Sequence, residues 1–481
     1  MTSGFRVRFA PSPTGFLHVG GLRTALFNYL FSRKNNGVFV LRIEDTDRSR
    51  YVEGAVEGLI DTLRWAGLTD DEGPEKRGPF GPYVQSERIE VYRSHASQLL
   101  EGGKAYRCFC TPERLEAMRT ELERRRIPSK YDRTCLRLTG QEVQRNLDQG
   151  KPFVIRMKIP EARTIAFDDL IRERVEFVSD RLDDQVLIKS DGYPTYHLAN
   201  VVDDHLMQIT HVIRGEEWVS STPKHILLYE YFGWEIPKFA HLPLLLNADR
   251  TKLSKRQGDV AVEEYREKGF LPEALVNFVA LLGWNPGDQR EVFTLEQLIQ
   301  EFTFERVGKS SAIFNLEKLK WLNEQHLRLK SDAELVKLVR QTLAKHNLDG
   351  FSDDYIRKVV ALMKERVVTL DEFITYSPYF FKDPESYDSV AVRKNWKPDT
   401  KVLIKQLRDL WSTLSEFSHS KAESTLRQLA EDTHVSPGNL IHPVRLAVTG
   451  VAIGPSLFEM IEVLGKETVL RRLQRAIDVL P

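Results

Sequence analysis

The sequence has few cysteines, no excess charge of either sign and no long apolar run. Three cysteines are an odd number in 481 residues, so a disulfide framework is not expected. No apolar run approaches the roughly 18 to 20 residues that cross a bilayer. Residues 1–9 contain no signal-peptide core, because their arginines alternate with apolar residues. We therefore expect a cytoplasmic protein in a reducing compartment.

The charge balance leaves the partner open. The 69 basic and 69 acidic residues cancel, whereas a strongly basic chain would have indicated nucleic acid. Phosphate binding depends on local clustering, so a basic face remains compatible with this balance. With 41% hydrophobic and 29% charged residues the composition is that of a folded protein, and the length predicts two to four domains.

The first 43 residues have the pattern of a β-α-β unit. Residues 5–9 alternate polar and apolar side chains, as a strand does, and the turn Pro11–Gly15 follows. From Val19 to about Arg33 the apolar spacing is helical, and residues 38–43 are typical of a buried strand. This order predicts parallel strands joined by a right-handed crossover.

An insertion without the β-α-β pattern follows, and after it strands and helices alternate again. Residues 111–126 predict a charged helix that begins at Thr111-Pro112-Glu113, and residues 153–158 predict a short strand. The returning elements are a strand at 185–189, a helix near 195–206, a strand at 209–214 and a helix at about 222–232. After about Asn315 the sequence is almost wholly helical and predicts a separate domain.

The segment from Pro11 to Gly21 reads PSPTGFLHVGG and lies between the first strand and the first helix. Ligands of open parallel sheets bind at this edge, and a helix N-terminus offers N–H groups to phosphate. Glycines 15, 20 and 21 let a ligand approach the backbone, and His18 can donate to a phosphoryl oxygen. Alternatively, the glycines only form a turn and His18 only caps the helix. The sequence contains no GxxxxGK[ST] loop, so a P-loop enzyme is excluded.

A second motif, KLSKR at 252–256, follows an apolar strand at 241–246 and a polar loop. Lys252 and Lys255 can reach a triphosphate and offset the charge of departing pyrophosphate. A solvated basic loop is the alternative.

Together the two motifs resemble the HIGH and KMSKS signatures of class I aminoacyl-tRNA synthetases. Further segments are similar to those of the bacterial glutamyl-tRNA synthetase family: RFAPSPTG at 8–15, RIEDTD at 42–47, SDGYPTYHLAN at 190–200 and VIRGEEW at 212–218. The likeness extends through the whole chain. One departure is Gly21, which stands where the signature has its last histidine, so no role of a second histidine is assigned.

The resemblance implies an α/β protein with a Rossmann-type parallel-sheet catalytic domain, an α+β insertion and an all-α anticodon-binding domain. The implied boundaries are 1–80 and 185–240 for the two catalytic halves, 81–184 for the acceptor-end-binding insertion, 241–325 for the stem-contact region, and 326–481 for the anticodon-binding domain. The implied reaction is ATP-dependent activation of L-glutamate and its transfer to the 3′ end of tRNA(Glu), with release of AMP and pyrophosphate. A monomer is expected, and activation is expected to require bound tRNA.

The resemblance also implies how glutamate binds. Guanidinium forks suit carboxylates, and one acid suits the ammonium. Arg8 and Arg214 are expected to hold carboxylates, and Arg214 the side-chain one. The other implied contacts are Tyr196 and Asn200 in the pocket, Glu44 on the ammonium and Ser12 on substrate or adenylate. Alternatively, Glu44 only pairs with Arg42 or Arg48.

For ATP, the implied contacts are His18 and Gly20 to phosphate and adenine, Glu217 to ribose, Leu245 and Leu253 to the base, and Lys252 and Lys255 to the triphosphate. Mg²⁺ is expected to be bound mostly by phosphates and water.

Cys108, Cys110 and Cys135 are comparable to a three-cysteine zinc pattern of some bacterial members of the family. The fourth ligand position of that pattern holds Arg137 here, which cannot ligate. Tyr131 and Asp132 are the candidates for the fourth place, and buried thiols without metal are the alternative.

The parts expected to face tRNA offer several arginines, with no ranking among them. Arg124–Arg126 can touch phosphate or form a solvated helix face. Arg471, Arg472 and Arg475 are candidates for anticodon contacts.

Four other functions compete with this interpretation. They are a glutaminyl-tRNA synthetase, the truncated paralogue that glutamylates a modified tRNA base, a small-molecule nucleotidylyltransferase and a non-catalytic RNA-binding relative. The first would have a β-barrel pair instead of a helical C-terminus, the second would have no anticodon domain, and the third would be far shorter.

Overall fold

The predicted β-α-β unit is present at the start of the chain. The computed structural model describes residues 4–128, 130–251, 253 and 261–481. Strand β1 (Arg6–Phe9) pairs in parallel with β2 (Val38–Leu41), and helix α1 (Val19–Lys34) joins them. Leu22, Leu26 and Leu30 of α1 are fully buried, as their helical spacing predicts.

The remaining elements up to residue 316 alternate helices and short strands. They are α2 (Ala55–Trp65), α3 (Ile89–Glu101), β3 (Ala105–Cys108), α4 (Pro112–Arg124), α5 (Gly140–Asp148), β4 (Val154–Met157), β5 (Thr164–Asp169), β6 (Glu173–Val178), β7 (Val186–Ile188), α6 (Tyr196–Leu206), β8 (His211–Gly215), α7 (Thr222–Phe232), β9 (Lys238–Leu242), β10 (Leu245–Leu246), α8 (Val262–Glu267), α9 (Pro272–Leu281), α10 (Leu295–Glu301) and β11 (Ala312–Ile313). Helix α4 begins as predicted, because the Thr111 side chain accepts from the Arg114 backbone N–H and Pro112 occupies its first turn.

The strands that carry the predicted site lie side by side. β8 pairs in parallel with β9, which pairs with β5, and β6 completes the order β6-β5-β9-β8. β8 also adjoins β1, because the N–H of Thr210 donates to the carbonyl of Arg6 at 2.9 Å. The carboxyl ends of β1 and β8 therefore meet at one edge.

The predicted end of the insertion at 184 does not match the strand pairing. β7 was expected to return to the parallel sheet, but it pairs antiparallel with β4, which pairs antiparallel with β3. The hairpin β5–β6, which the sequence pattern did not reveal, lies inside the expected insertion, yet β5 joins the sheet of β9. The apolar pattern of a short strand does not indicate which strand it pairs with. The pairing of β7 and of β5 therefore could not be predicted from periodicity.

The chain divides into two units, Met1–Glu264 with Leu275–Leu316, and Tyr265–Ala274 with Glu317–Pro481. The division after Leu316 comes earlier than the predicted boundary at 326. The reason is visible in α11 (Leu316–Leu329), whose Leu327 belongs to the hydrophobic core of the second unit.

The second unit is helical, as predicted. Its elements after α11 are α12 (Asp332–Lys345), α13 (Asp353–Met363), α14 (Glu372–Thr375), α15 (Ser389–Asn395), α16 (Pro398–Thr413), α17 (His419–Asp432), α18 (Gly438–Thr449), α19 (Leu457–Leu464) and α20 (Lys466–Val479). Residues 317–481 are all described and contain no strand, so the β-barrel pair of the glutaminyl alternative is absent there. Across the described ranges, no helix has both the length and the apolar character to span a membrane.

Candidate active site

Three buried charged side chains stand at the strand ends that the sequence singled out. Arg8 lies on β1, Glu44 follows β2, and Arg214 lies on β8. All three are at most 5% exposed. The Nη1 atom of Arg8 lies 3.5 Å from the carbonyl oxygen of Ile213, the residue before Arg214.

Arg8 and Glu44 belong to one network of buried charges. Arg8 donates to Asp204 on α6, and Arg42 donates to the same carboxylate at 2.7 Å and to Glu44 at 3.0 Å. Burial would raise the pKa of Asp204, but Arg8 and Arg42 hold it below its ordinary value. Burial raises the pKa of Glu44 in spite of Arg42. Glu44 therefore pairs with Arg42, and its expected contact with the ammonium of glutamate stays a prediction.

Arg214 has neutral neighbours instead. Its Nη1 donates to the Tyr196 hydroxyl at 3.2 Å, and its Nη2 donates to the Thr222 hydroxyl at 2.9 Å. The Tyr196 ring stacks on Trp218 with centroids 4.0 Å apart. Asn200, one turn further along α6, is buried, and its Nδ2 has no hydrogen-bond partner among the described residues. These contacts bring together Arg214, Tyr196 and α6 as the sequence predicts.

The first motif caps α1. His18 is the N-cap residue, and its Nδ1 accepts from the N–H of Gly21 at 3.0 Å. It therefore caps α1, and its expected contact with phosphate stays a prediction. A side chain at Gly20 would place its Cβ 3.1 Å from the His18 imidazole, closer than ordinary van der Waals contact. A Cβ at Gly21 would meet Leu17 at 2.7 Å. Ser12 is exposed, and its carbonyl accepts from the Thr14 N–H at 2.9 Å.

The other predicted nucleotide contacts surround this motif. Leu253 donates its N–H to the carbonyl of Leu245 at 3.0 Å, and Ala261 forms a β-bridge with His18. A Cβ at Gly20 would lie 3.9 Å from Leu245. The segments flanking the second motif thus reach the first motif. Lys252 and Lys255 themselves lie outside the described residues.

Glu217 stands beside the strand end of β8. It belongs to the 3₁₀ segment Glu216–Ser221, and a Cβ at Gly215 would collide with its carboxylate. Burial lowers the pKa of Arg23 on α1 to about 10, and the negative charges of Glu217 and Glu216 partly oppose this decrease.

The three cysteines form a cluster in which their sulfur atoms all lie within 4.8 Å of one another. The Tyr131 hydroxyl lies 3.3 Å from the sulfurs of both Cys108 and Cys110. Hydrogen bonds from Cys135 and Tyr131 lower the pKa of the Cys108 thiol to about 4. Three sulfurs and one nearby oxygen are a donor set that suits Zn²⁺.

Asp132, the other candidate for the fourth ligand, and Arg137 are both engaged in other hydrogen bonds. Asp132 accepts from Arg114 at 2.6 Å and from the Thr134 N–H at 3.1 Å. Arg137 donates to the carbonyl of Asp132 at 2.8 Å. The geometry therefore favours Tyr131 over Asp132 as the fourth donor.

The arginines expected to face tRNA differ in exposure. Arg124 pairs with Glu121 at 2.9 Å on an exposed helix face, as the solvated alternative predicts. Arg472 is 3% exposed and donates to Asp383 and to the carbonyls of Val448 and Lys382. Because its donors are engaged inside the unit, Arg472 is unsuited to an anticodon contact. Arg471 is exposed and also pairs with Asp383.

Sequence reasoning missed several polar residues of this site. They are Asp169, Asp204, His225 and His241, which are all buried. The signal available for His241 was a polar residue at the end of the apolar strand Lys-Phe-Ala-His-Leu. A buried polar side chain requires a partner, and that partner is distant in sequence.

Comparisons with known proteins agree along the entire chain. Residues 4–321 match a family described as "tRNA synthetases class I (E and Q), catalytic domain", and residues 334–477 match "Anticodon binding domain". A glutamate–tRNA ligase of Chloroherpeton thalassium is 54% identical over 99% of this chain and 98% of its own. One of Chlorobium phaeobacteroides is 52% identical over 98% of each chain. A crystal structure of a glutamate–tRNA ligase from Elizabethkingia meningosepticum, in complex with its amino acid, is 41% identical, with a TM-score of 0.91 and full coverage of both chains.

Proposed function

The chain belongs to the glutamate branch of the class I tRNA synthetases, and from that premise we propose that it activates L-glutamate with ATP and transfers it to the 3′ end of tRNA(Glu). AMP and pyrophosphate are the other products. The observation that carries the proposal is Arg214, a buried guanidinium that makes no ion pair with any described residue and stands beside the Tyr196 hydroxyl. The helical anticodon domain and the full-length similarity argue against the truncated paralogue and the short nucleotidylyltransferase.

In the proposed pocket, Arg214 and Tyr196 bind the side-chain carboxylate of glutamate, and Asn200 completes the pocket. Arg8 holds the other carboxylate. Glu44 binds the ammonium, because a buried carboxylate with a raised pKa gains most from a further cation. Ser12 contacts the substrate or the adenylate.

Glutamine has almost the same shape as glutamate, so the pocket must discriminate by charge. An amide opposite Arg214 would leave the buried guanidinium without an anionic partner, at a cost on the order of 1–3 kcal/mol or more. Glutamate supplies that partner. This difference favours glutamate as the substrate.

ATP is proposed to bind where the two motifs meet. His18 and Gly20 contact phosphate and adenine, Glu217 binds the ribose hydroxyls, and Leu245 and Leu253 pack near the base. Lys252 and Lys255 stabilise the triphosphate. Mg²⁺ accompanies the ATP through phosphates and water, since no protein cage is needed for it.

The chemistry needs no general base. The α-carboxylate of glutamate attacks the α-phosphorus in line, and pyrophosphate leaves. A ribose hydroxyl at the tRNA 3′ end then attacks the adenylate carbonyl, and AMP leaves. Positioning and charge stabilisation supply most of the rate, and bound tRNA is proposed to be required for activation.

We also propose that Zn²⁺ binds Cys108, Cys110, Cys135 and the hydroxyl of Tyr131. The proximity of the three sulfurs and of the Tyr131 hydroxyl supports this assignment. The ion would tie β3 to the segment around Cys135. It has no part in the acyl transfer.

Residues 81–184 are proposed to hold the acceptor end of tRNA, 241–325 to contact its stem, and the helices after 326 to read the anticodon. A cytoplasmic monomer is the proposed state. The three free cysteines support a reducing compartment.

Charging assays with purified protein test the proposal. Labelled glutamate and glutamine are offered separately with ATP and total bacterial tRNA, and the amino acid released from the tRNA is identified by chromatography. Glutamyl-tRNA alone is expected. Charging with glutamine at a comparable rate would contradict the assignment of Arg214.

A further inference from the structure

Arg214 is enclosed by two histidines that belong to neither sequence motif. Its Nε donates to Nε2 of His241 at 3.1 Å, and its Nη2 lies 3.2 Å from Nδ1 of His225. His241 comes from β9 and His225 from α7. Both are at most 1% exposed. Two strands and one helix thus fix a single guanidinium.

The partners of His241 define where its proton resides. The Nε of an arginine can only donate, so Nε2 of His241 must be the unprotonated, accepting nitrogen. Its Nδ1 then carries the proton and donates to Asp169 at 2.6 Å. Asp169 also accepts the backbone N–H of His241 at 3.1 Å and that of Ile171 at 3.0 Å. The carboxylate therefore holds the imidazole in the tautomer that accepts from Arg214.

The same reasoning applies to His225. Because Nη2 of Arg214 can only donate, Nδ1 of His225 accepts, and its proton resides on Nε2. That proton is donated to Nδ1 of His197 at 3.0 Å. Burial, followed by the charge of Arg214, lowers the pKa of His225 well below its ordinary value, which keeps it neutral.

These contacts account for four of the five N–H groups of Arg214. Nε donates to His241, one N–H of Nη1 to Tyr196, and the two of Nη2 to Thr222 and His225. The second N–H of Nη1 is the one for which these contacts give no acceptor among the described residues. It projects from the same nitrogen that contacts Tyr196.

We propose that His225 and His241 are positioning residues for substrate recognition, because they hold Arg214 with its remaining Nη1 N–H directed to the ligand carboxylate beside Tyr196. This inference rests on the proposed function, in which Arg214 binds the side-chain carboxylate of glutamate. Neither histidine touches the substrate. Each supplies an acceptor that is neutral, so the charge of Arg214 stays available for the ligand.

Near-isosteric pairs of variants separate acceptor loss from a change of volume. Asn at 225 keeps an oxygen near the position of Nδ1, whereas Leu has the same shape without an acceptor. Gln at 241 keeps an oxygen near Nε2, whereas Met does not. The four variants are His225→Asn, His225→Leu, His241→Gln and His241→Met.

The experiment measures glutamate-dependent exchange of pyrophosphate into ATP with saturating tRNA, and determines KM for glutamate, KM for ATP and kcat. We expect the two apolar variants to raise KM for glutamate about 10- to 100-fold, because a hydrogen bond to a buried charge is lost. KM for ATP should change less than about twofold, because the ATP contacts are elsewhere. The Asn and Gln variants should stay within about threefold of the wild type in KM for glutamate. Thermal unfolding of all four variants identifies any that fail to fold.

The outcomes separate the two levels of the proposal. Wild-type protein without glutamate-dependent exchange would overturn the proposed function, and this inference with it. Wild-type activity together with unchanged KM for glutamate in folded Leu and Met variants would overturn the inference alone. Equal damage by the acceptor-retaining and apolar variants, or parallel increases in both KM values, would show that the histidines act only through packing.

Discussion

The guanidinium of Arg8 donates to both carboxylate oxygens of Asp204, from Nε at 3.0 Å and from Nη2 at 3.2 Å. Arg42 donates to the same carboxylate at 2.7 Å. Arg8 is therefore already paired inside the protein, whereas Arg214 makes no ion pair with any described residue. Both arginines are proposed to bind carboxylates of glutamate, but only Arg214 lacks an anionic partner among the described residues, so we assign the discrimination against glutamine to Arg214.

Removal of the Asp204 charge should destabilise the protein strongly. The variant Asp204→Asn leaves Arg8 and Arg42 buried with one acidic neighbour fewer, and breaking a buried ion pair in this way costs about 3–5 kcal/mol. Urea unfolding gives the change in the free energy of unfolding. Glu121→Gln, which removes a charge from an exposed pair with Arg124, serves as the control and should leave the free energy of unfolding nearly unchanged. Similar effects of the two variants would contradict the structural importance of the buried network.

Replacement of Arg214 by lysine should impair recognition of glutamate although the charge is kept. A lysine cannot supply donors to His241, Thr222, His225 and Tyr196 together with one for the ligand, so we expect KM for glutamate to rise at least about 100-fold. Arg174→Lys, at an exposed pair with Glu176, is the matched control. Steady-state charging assays measure both variants. An unchanged KM for glutamate in Arg214→Lys would contradict the proposal that Arg214 binds the side-chain carboxylate.

Purified protein should contain about one zinc ion per chain, measured by elemental mass spectrometry. Cys110→Ser and Tyr131→Phe should lower the zinc content or the affinity for zinc, because each removes a proposed ligand. Asp132→Asn should retain the ion, since Asp132 is engaged by Arg114 and the Thr134 N–H. Wild-type protein without metal after purification in chelator-free buffer, or full zinc content in Cys110→Ser, would contradict the site.

Stability should fall in mild acid because buried histidines resist protonation. Burial lowers the pKa of His197, His211 and His241 to about 4 in the folded protein. Below about pH 6.5 the unfolded chain binds protons that the folded chain does not, so the free energy of unfolding decreases by roughly 1.4 kcal/mol per pH unit for each histidine. The loss is complete only below about pH 4.

The variant His211→Phe tests this dependence, because His211 packs against Phe5 and Phe31 and the new ring no longer titrates. Its stability should depend less steeply on pH than that of the wild type between about pH 6.5 and 4.5. His442→Gln, at an exposed position, should retain the wild-type slope. Equal slopes for the wild type and His211→Phe would show that folding does not change the pKa of this histidine.

Local patterns in the sequence predicted the elements that carry the site. The βαβ unit, the cap of α4 at Thr111 and helix α7 are present where the sequence signals placed them. Parallel strands that end at one edge also explain why Arg8, Glu44 and Arg214 could be singled out before their geometry was known. Their roles as glutamate contacts remain predictions.

Long-range pairing was beyond these patterns. The three residues of β7 are apolar and would suit either sheet, so no local signal predicted their pairing with β4. Asp204 contacts Arg8, and His241 contacts Arg214. Both contacts join residues that are distant in sequence, so periodicity does not predict them. Buried polar side chains inside apolar segments indicate that a partner exists, but the partner is identified only in three dimensions.

Pyrophosphate exchange into ATP, measured with glutamate and with glutamine, each in the presence and absence of tRNA, decides which amino acid the protein activates. We predict exchange only with glutamate and only when tRNA is present. Lys255→Ala should abolish this exchange while leaving tRNA binding intact, because its charge is proposed to stabilise departing pyrophosphate. Exchange with glutamine, or with neither amino acid, would contradict the proposed activation of glutamate.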